Sequence, residues 1–259
     1  MSGKETVLVT GASAGIGAEL ARCFATDGAD LVLLARRADR LESVAGELRA
    51  RHRVEVTVLP ADLARPGEAE RIQGELKARA LEVDVMVNTA GFGARGRFVD
   101  LDHQRQLDMI QLNLTSLVDL TWRLLPAMVE RRRGGVLNVG SQAGFLAGPR
   151  MAVYYATKAF VLSFTEALAE ELRGSGVTAT VLAPGPVNTE FAEVAGMKDA
   201  RMFRLAAADA RGTAEAGHRA FRRGDVIVIP EVAGRLGIQA LRLAPRGLVR
   251  RVVNALQGS

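Results

Sequence analysis

The sequence lacks the features that mark several classes of protein. It contains a single cysteine, Cys23, so the chain cannot form a disulfide framework of its own, which fits a reducing compartment. Its polar start, from Met1 to Lys4, is too short for a signal peptide, and no apolar run reaches the roughly 18 residues of a membrane span. We therefore expect a cytoplasmic protein.

Metal and nucleic-acid binding find little support in the sequence. None of the histidines, His52, His103 and His218, has a partner at metal-ligand spacing, so we expect no metal site. The net charge of +5 comes from five arginines after Glu231, in a tail that has no acidic residue. Because no zinc pattern, helix-turn-helix pattern or aromatic-studded basic groove accompanies this excess, we expect no nucleic-acid partner.

Strand and helix patterns alternate along most of the chain. Apolar, β-branched runs alternate with stretches whose apolar residues recur at helical spacing. Helices that join successive strands imply an α/β fold, a doubly wound parallel sheet of the Rossmann type with about seven strands and helices on both faces. After the first strand, which starts at Thr6, the predicted strands are 30–35, 54–59, 83–88, 136–139, 177–182 and 225–229, and the predicted helices after the first are 38–51, 67–80, 102–130, 152–173 and 206–222.

No linker, repeat or low-complexity segment divides the sequence, so we predict one domain over residues 1–259. The regular alternation breaks after Pro184, and residues 189–222 are a candidate substrate lid because they follow a strand end, where such sheets bind ligands. The apolar residues of this segment favour an apolar carbonyl substrate, although an ordinary packed loop has the same composition: Phe191, Val194, Met197, Met202 and Phe203.

Residues 232–259 form a basic, amphipathic tail. Its last helix, predicted over residues 247–256, has an apolar side and a side with arginines. Docking of this helix on its own domain or on a second subunit is one interpretation. Contact with a membrane surface, or a basic patch for an acidic acyl carrier, is the alternative.

The first strand ends in a glycine-rich turn that leads directly into a helix. Gly11 permits a tight turn out of the strand, Gly15 leaves room for a phosphate beside bare backbone, and Gly17 lets the helix lie close to the sheet. The free N–H groups and positive dipole end of that helix favour a dinucleotide pyrophosphate. A strand-to-helix turn that needs glycine only for its geometry would look the same.

Tyr154 and Lys158 stand four residues apart on a predicted helix, so their side chains share a face. An ammonium close to a phenol stabilises the phenolate and lowers the pKa of the phenol, which would make Tyr154 a usable proton donor. By spacing alone, such a pair is more often a feature of the surface.

The motifs resemble those of the short-chain dehydrogenase/reductase family when taken together and in order. They are the turn Thr-Gly-Ala-Ser-Ala-Gly-Ile-Gly, Asn88-Thr89-Ala90-Gly91 after a strand, Asn113, Ser141, the Tyr154/Lys158 pair and Pro184-Gly185. Thr89 stands where a second asparagine is frequent in the family. The resemblance covers residues 5–189 and implies an oxidoreductase that interconverts a ketone or aldehyde and an alcohol, in a homodimer or homotetramer.

The resemblance implies four catalytic residues. Tyr154 would protonate the carbonyl oxygen as hydride arrives, and Ser141 would hold that oxygen by a hydrogen bond. Lys158 would hold the nicotinamide ribose and depress the pKa of the tyrosine. Asn113 would hold a water that passes protons on from Lys158, unless it is a buried asparagine whose amide is satisfied by backbone.

The resemblance also implies the cofactor contacts. NAD selection places an acidic residue about 20 residues past the glycines. Here Ala35 stands at that place and is followed by Arg36, whose guanidinium suits a 2′-phosphate, so we expect NADP(H) in preference to NAD(H). The positions that match cofactor contacts are Gly11, Ser13, Ala14, Gly15, Ile16, Gly17, Arg36, Asp62, Leu63, Asn88, Ala90, Gly91, Tyr154, Lys158, Pro184, Gly185, Val187 and Thr189.

Two other classes of function remain alternatives. A non-catalytic dinucleotide-binding or sensing protein would keep the fold without turnover, and the complete Ser141, Tyr154, Lys158 and Asn113 set argues against it. A methyltransferase on a similar sheet would also need a glycine turn. It gives no reason for the Tyr154/Lys158 pair.

Overall fold

Seven parallel strands form one sheet in the order β3-β2-β1-β4-β5-β6-β7. The structure is a computed structural model that describes residues 4–197 and 207–257. The strand order reverses between β1 and β4, which opens a crevice at the carboxyl ends of the strands. The strands are β1 (Thr6–Thr10), β2 (Asp30–Ala35), β3 (Val56–Pro60), β4 (Val85–Asn88), β5 (Gly134–Val139), β6 (Val177–Leu182) and β7 (Ile227–Val228).

Helices cover both faces of the sheet and form the region beyond β6. A π-helical turn, Gln111–Thr115, joins two of them into one long helical stretch. In chain order the described helices are α1 (Gly15–Thr26), α2 (Ala38–His52), α3 (Glu68–Ala78), α4 (His103–Ile110), α5 (Ser116–Glu130), α6 (Ala152–Glu171), α7 (Glu190–Val194), α8 (Ala210–Arg223), α9 (Val232–Leu243) and α10 (Arg246–Gln257).

The core lies on both faces of the sheet because neighbouring strand residues point in opposite directions. Val7 and Val9 of β1 belong to the same apolar cluster as Phe24 of α1. Leu8, which lies between them, belongs to the cluster that contains Ile72 of α3. All five side chains are fully buried, so β1 is covered by apolar packing on both faces of the sheet.

The structure confirms the predicted doubly wound sheet, and the differences are local. The third strand lies at Val56–Pro60, two residues later at its start than predicted. The last predicted helix of the lid region begins outside the described residues at 206, and the structure has it at Ala210–Arg223. Helix α9 was not predicted, because Gly234 and Gly237 lower the helix propensity of that segment.

No helix in the described ranges is both long and apolar enough to cross a membrane.

A chain of buried polar side chains fixes the ends of β4 and β5 to α6. The Asn88 amide donates to the Asn138 oxygen at 2.8 Å, and the Asn138 amide donates to the Thr165 hydroxyl at 2.9 Å. Thr165 in turn donates to the Val161 carbonyl at 2.6 Å. Because Asn138 and Thr165 are completely buried, each bond satisfies a group that water cannot reach.

Thr165→Val should leave a donor of Asn138 buried without an acceptor. We expect the free energy of unfolding to fall by about 1–3 kcal/mol, measured by urea denaturation. The matched change Thr178→Val, at an exposed threonine of β6, should stay within about 0.5 kcal/mol of the wild type. Equal effects of the two changes would contradict the role given to the buried chain.

Candidate active site

A cleft of about 920 Å³ runs along the carboxyl edge of the sheet. It lies where the strand order reverses, the place at which open α/β sheets bind ligands. Of the catalytic and cofactor-contact residues predicted from the sequence, all but Asn88 and Asn113 line this cleft. Those that line it are Gly11, Ser13, Ala14, Gly15, Ile16, Gly17, Arg36, Asp62, Leu63, Ala90, Gly91, Ser141, Tyr154, Lys158, Pro184, Gly185, Val187 and Thr189.

The glycine turn at the end of β1 brings α1 very close to the strand. Gly11 and Gly15 have φ values of 66° and 55°, in the left-handed region that favours glycine. A Cβ on Gly17 would stand 2.4 Å from the Gly11 carbonyl oxygen, so only glycine permits this approach. A Cβ on Gly15 would meet the Thr189 side chain at 3.0 Å, so the segment that begins at Thr189 lies directly against the turn.

The amino end of α1 faces the cleft. The N-cap residue of α1 is Ala14, whose methyl side chain cannot accept a hydrogen bond from the helix. The N–H groups of the first turn therefore have no side-chain cap at this residue and remain available to a ligand. Those donors and the helix dipole fit an anionic group such as a pyrophosphate.

Thr10 fixes the wall opposite this turn. Its buried hydroxyl accepts hydrogen bonds from the backbone N–H groups of Thr89 and Ala90 at 3.0 and 3.1 Å. Asn88, directly before them, points behind the wall to Asn138. Asn88 therefore supports the cleft from behind.

Asn113 also lies behind the wall. It is buried in the π-helical turn, its oxygen accepts from the Phe92 N–H at 3.1 Å, and its amide donates to the Phe92 carbonyl at 3.0 Å and to the Thr157 hydroxyl at 3.1 Å. The side-chain amide is thus satisfied within the protein, and it holds the loop after β4 that carries Gly91 and Phe92.

Tyr154 and Lys158 share one face of α6 and are both buried at the wall of the cleft. The Lys158 ammonium lies 5.9 Å from the centre of the Tyr154 ring and donates to the Val139 carbonyl at 2.7 Å. Burial lowers the pKa of Lys158 to about 8.

The pKa of Tyr154 moves opposite to the direction expected from the sequence. Burial raises it above its usual value, and a hydrogen bond with Ser141 offsets part of this rise. The expectation was wrong because the pair lies in an interior that penalises both charged forms, while the ammonium is bound to the Val139 carbonyl. In this structure Tyr154 is a neutral phenol at neutral pH.

Ser141 follows the end of β5 and is held by two loops. Its hydroxyl donates to the Pro184 carbonyl at 3.4 Å and accepts from the Ala143 N–H at 3.1 Å. These bonds join the loop after β5 to the loop after β6, beside Tyr154.

Three arginines lie near the end of β2. Arg36 lines the cleft and is exposed, and it has no ion-pair or hydrogen-bond partner among residues 4–197 and 207–257. Arg37 pairs with Glu190 of α7 at 2.8 Å, and Arg40 pairs with the other oxygen of the same carboxylate. The hydrogen bonds from Arg40 and Arg37 hold the pKa of the Glu190 carboxyl below its usual range.

The end of the cleft beyond Tyr154 is apolar. The Phe191 ring lies 5.3 Å from the Tyr154 ring, and Met151 and Met197 belong to the same cluster. Two residues expected in the lid, Met202 and Phe203, lie outside the described residues.

The tail helix packs against this apolar cluster. Val249 and Val253 of α10 are buried within it, whereas Leu248 is 55% exposed. The inner face of α10 is therefore docked on its own chain, as one of the two interpretations of the tail expects.

The comparison with protein families agrees with this geometry. The family model described as short chain dehydrogenase matches residues 5–199. The chain belongs to this family. Its members are NAD(P)-dependent oxidoreductases that act on CH–OH and C=O groups.

Individual relatives of this chain differ in their names. Sulfoacetaldehyde reductase 2 of Chromohalobacter salexigens is 39% identical over 189 residues, which are 72% of this chain and 74% of that protein. The human very-long-chain 3-oxoacyl-CoA reductase is 34% identical over 194 residues, 73% of this chain but only 61% of that protein. A solved short-chain dehydrogenase from Sphingobium yanoikuyae, in complex with NADPH, has a TM-score of 0.84 and 35% identity and covers 94% of each chain.

Several residues that build the site could not be recognised from the sequence. Thr10 lies inside the recognised motif, but its hydrogen bonds to the neighbouring strand leave no trace in the local pattern. Glu190 is separated from Arg40 by 150 residues, so no sequence period connects them. Arg105 donates to the Val194 carbonyl at 2.8 Å, which again joins distant segments.

The histidines lie outside the cleft lining. His218 bonds to Asp27 at 2.9 Å and lies edge-on to the Phe24 ring. Among the described residues, no three His, Cys, Asp or Glu side chains are grouped as metal ligands.

The lowered pKa of Lys158 predicts a pH-dependent stability. Since the unfolded lysine keeps its proton to about pH 10.5 and the folded one loses it near pH 8, the unfolded state binds more protons in this window. Wild-type stability without cofactor should therefore rise with pH relative to Lys158→Met. We expect the free energy of unfolding of the wild type, relative to that of the variant, to increase by roughly 2–3 kcal/mol between about pH 7 and pH 10. Urea denaturation of both proteins over this pH range measures the difference. A difference that is constant with pH would contradict the lowered pKa of the buried ammonium.

Proposed function

We propose that the chain is an NADPH-dependent reductase that interconverts a ketone or aldehyde and an alcohol on an apolar substrate. The observation that carries this proposal is the joint burial of Tyr154 and Lys158 beside Ser141, at one end of a cleft whose other end is the glycine turn of β1. The cofactor would supply the hydride. The remaining chemistry belongs to side chains of the chain.

Tyr154 acts as the proton donor in reduction. Because burial keeps its phenol neutral at physiological pH, the proton is present when negative charge develops on the carbonyl oxygen. In the reverse direction the same oxygen must accept a proton from the alcohol, which requires the phenolate.

Ser141 and Lys158 position the reacting groups. The Ser141 hydroxyl is fixed beside Tyr154 and can bond the same substrate oxygen. The Lys158 ammonium has three donors, and its bond to the Val139 carbonyl leaves two for ribose hydroxyls. Such hydrogen bonds would replace part of the hydrogen bonding to water that the ammonium loses on burial, and they would favour its charged form.

The choice of NADP(H) rests on the end of β2. No carboxylate occupies the position of Ala35, and the exposed guanidinium of Arg36 borders the cleft. A guanidinium matches a phosphate in charge and geometry and offers no acceptor for a ribose hydroxyl. The NADPH complex of the Sphingobium relative supports the choice.

The substrate class rests on the pocket beyond Tyr154. The names of relatives cover a small sulfonated aldehyde and a very long acyl-CoA, so they do not select a substrate. The wall formed by Met151, Phe191 and Met197 favours an apolar group next to the reacting carbonyl.

Tyr154→Phe should abolish proton transfer while leaving the cofactor site intact. We expect kcat to fall by at least about 10²–10⁴-fold, with NADPH affinity unchanged in a fluorescence titration. Turnover is read as nicotinamide absorbance on a panel of apolar ketones and aldehydes.

Tyr155→Phe is the matched control, since the chain has two tyrosines. It should keep most of the wild-type turnover. Loss of turnover in this variant with full activity in Tyr154→Phe would refute the assignment.

Arg36→Leu should weaken the binding of NADPH and leave that of NADH unchanged. A charge-assisted bond to phosphate contributes about 1.5–3 kcal/mol, so we expect roughly a 10–100-fold higher Kd for NADPH. Arg79→Leu, which removes the same charge from a surface ion pair with Glu75, serves as the control. Parallel losses for both cofactors would contradict a 2′-phosphate contact.

A further inference from the structure

Glu190 joins the lid to the opposite edge of the cleft. Its two carboxylate oxygens each meet a different guanidinium, those of Arg37 and Arg40 at the start of α2. The partners are about 150 residues apart in sequence, so the ion pairs bridge two separate walls of the cleft.

The two arginines lie where the proposed cofactor would place its 2′-phosphate. They follow Arg36 at the end of β2, and Arg37 also donates to the hydroxyl of Ser13, in the glycine turn, at 3.3 Å. Two guanidinium groups around one planar oxyanion form the arrangement that also binds phosphate. The Glu190 carboxylate is the anion that occupies this arrangement in the structure.

The position of Glu190 is fixed from both sides. Thr189, directly before it, lies against Gly15, and the Thr189 hydroxyl accepts from the Phe191 N–H at 3.3 Å to cap α7. At the other end of α7, Arg105 donates to the Val194 carbonyl at 2.8 Å. The carboxylate is thus held next to the glycine turn by the lid that carries it.

We propose that Glu190 competes with the 2′-phosphate of the cofactor for Arg37 and Arg40 and thereby limits the preference of the enzyme for NADP(H). The inference rests on the proposed use of the β2 edge as the cofactor's ribose site. It assigns a specificity role to a residue of the lid, outside the strand end that is expected to select the cofactor.

The competition is between a weak pair and a stronger ligand. The side chains of Arg37, Arg40 and Glu190 are 41%, 47% and 44% exposed, and ion pairs with such exposure contribute little. A phosphate dianion displaces the carboxylate, but its net binding free energy is reduced by the free energy needed to break the two ion pairs. A cofactor without this phosphate leaves the pairs intact.

Glu190→Gln removes the competing charge and keeps the shape of the side chain. The probes are 2′,5′-ADP and 5′-AMP, which differ at the 2′ position, titrated calorimetrically into the 259-residue chain at low and physiological salt. We expect the variant to bind 2′,5′-ADP about three- to tenfold more tightly than the wild type does. The affinity for 5′-AMP should not change.

Glu42→Gln is the matched control. It removes the same charge from an exposed residue of α2 that pairs with Arg49 instead. It should change the affinity for 2′,5′-ADP less than twofold, which separates direct competition from the general effect of net charge.

The outcomes separate this inference from the proposed cofactor. If the wild type prefers 2′,5′-ADP and Glu190→Gln has the same ratio of affinities, the inference fails and the NADP(H) preference stands. If the wild type shows no preference but the variant does, Glu190 is the competitor and the NADP(H) preference fails. If neither protein distinguishes the two probes, or if both Gln variants gain equally, the inference is overturned.

Discussion

The site depends on one buried ammonium. Lys158 lies in the wall of the cleft, donates to the Val139 carbonyl at the end of β5, and is otherwise surrounded by an interior that lowers its pKa to about 8. Burying such a charge is unfavourable unless it is bonded, so the surrounding structure must supply partners. The end of β5 supplies one, and a ligand in the cleft would supply the others.

The rest of the fold serves to hold the two ends of that cleft at a fixed distance. Gly17 lets α1 approach the end of β1, and Thr10 binds the end of β4 to the same strand. On the other side, Asn138 and Thr165 connect β5 with α6, the helix that carries Tyr154 and Lys158. These contacts hold the proposed phosphate site and the proposed proton donor at a fixed separation, on either side of the point where the strand order reverses.

The sequence predicts those parts of the site that local spacing controls. The glycine turn and the four-residue spacing of Tyr154 and Lys158 have fixed geometric meanings, and both lie in the cleft as expected. The pKa direction of Tyr154 could not be predicted, because it depends on burial by segments distant in sequence. The role of Glu190 could not be predicted for the same reason. Asn88 and Asn113 match the family motifs in sequence, but their side chains bond to Asn138 and to the Phe92 backbone and do not line the cleft.

A crystal structure of the protein with NADPH is the most direct test of the proposed cofactor site. We expect the pyrophosphate at the amino end of α1, the 2′-phosphate beside Arg36, and the Lys158 ammonium in contact with the nicotinamide ribose, with Tyr154 facing the nicotinamide. A cofactor bound elsewhere, or a nicotinamide ribose out of reach of Lys158, would contradict this arrangement.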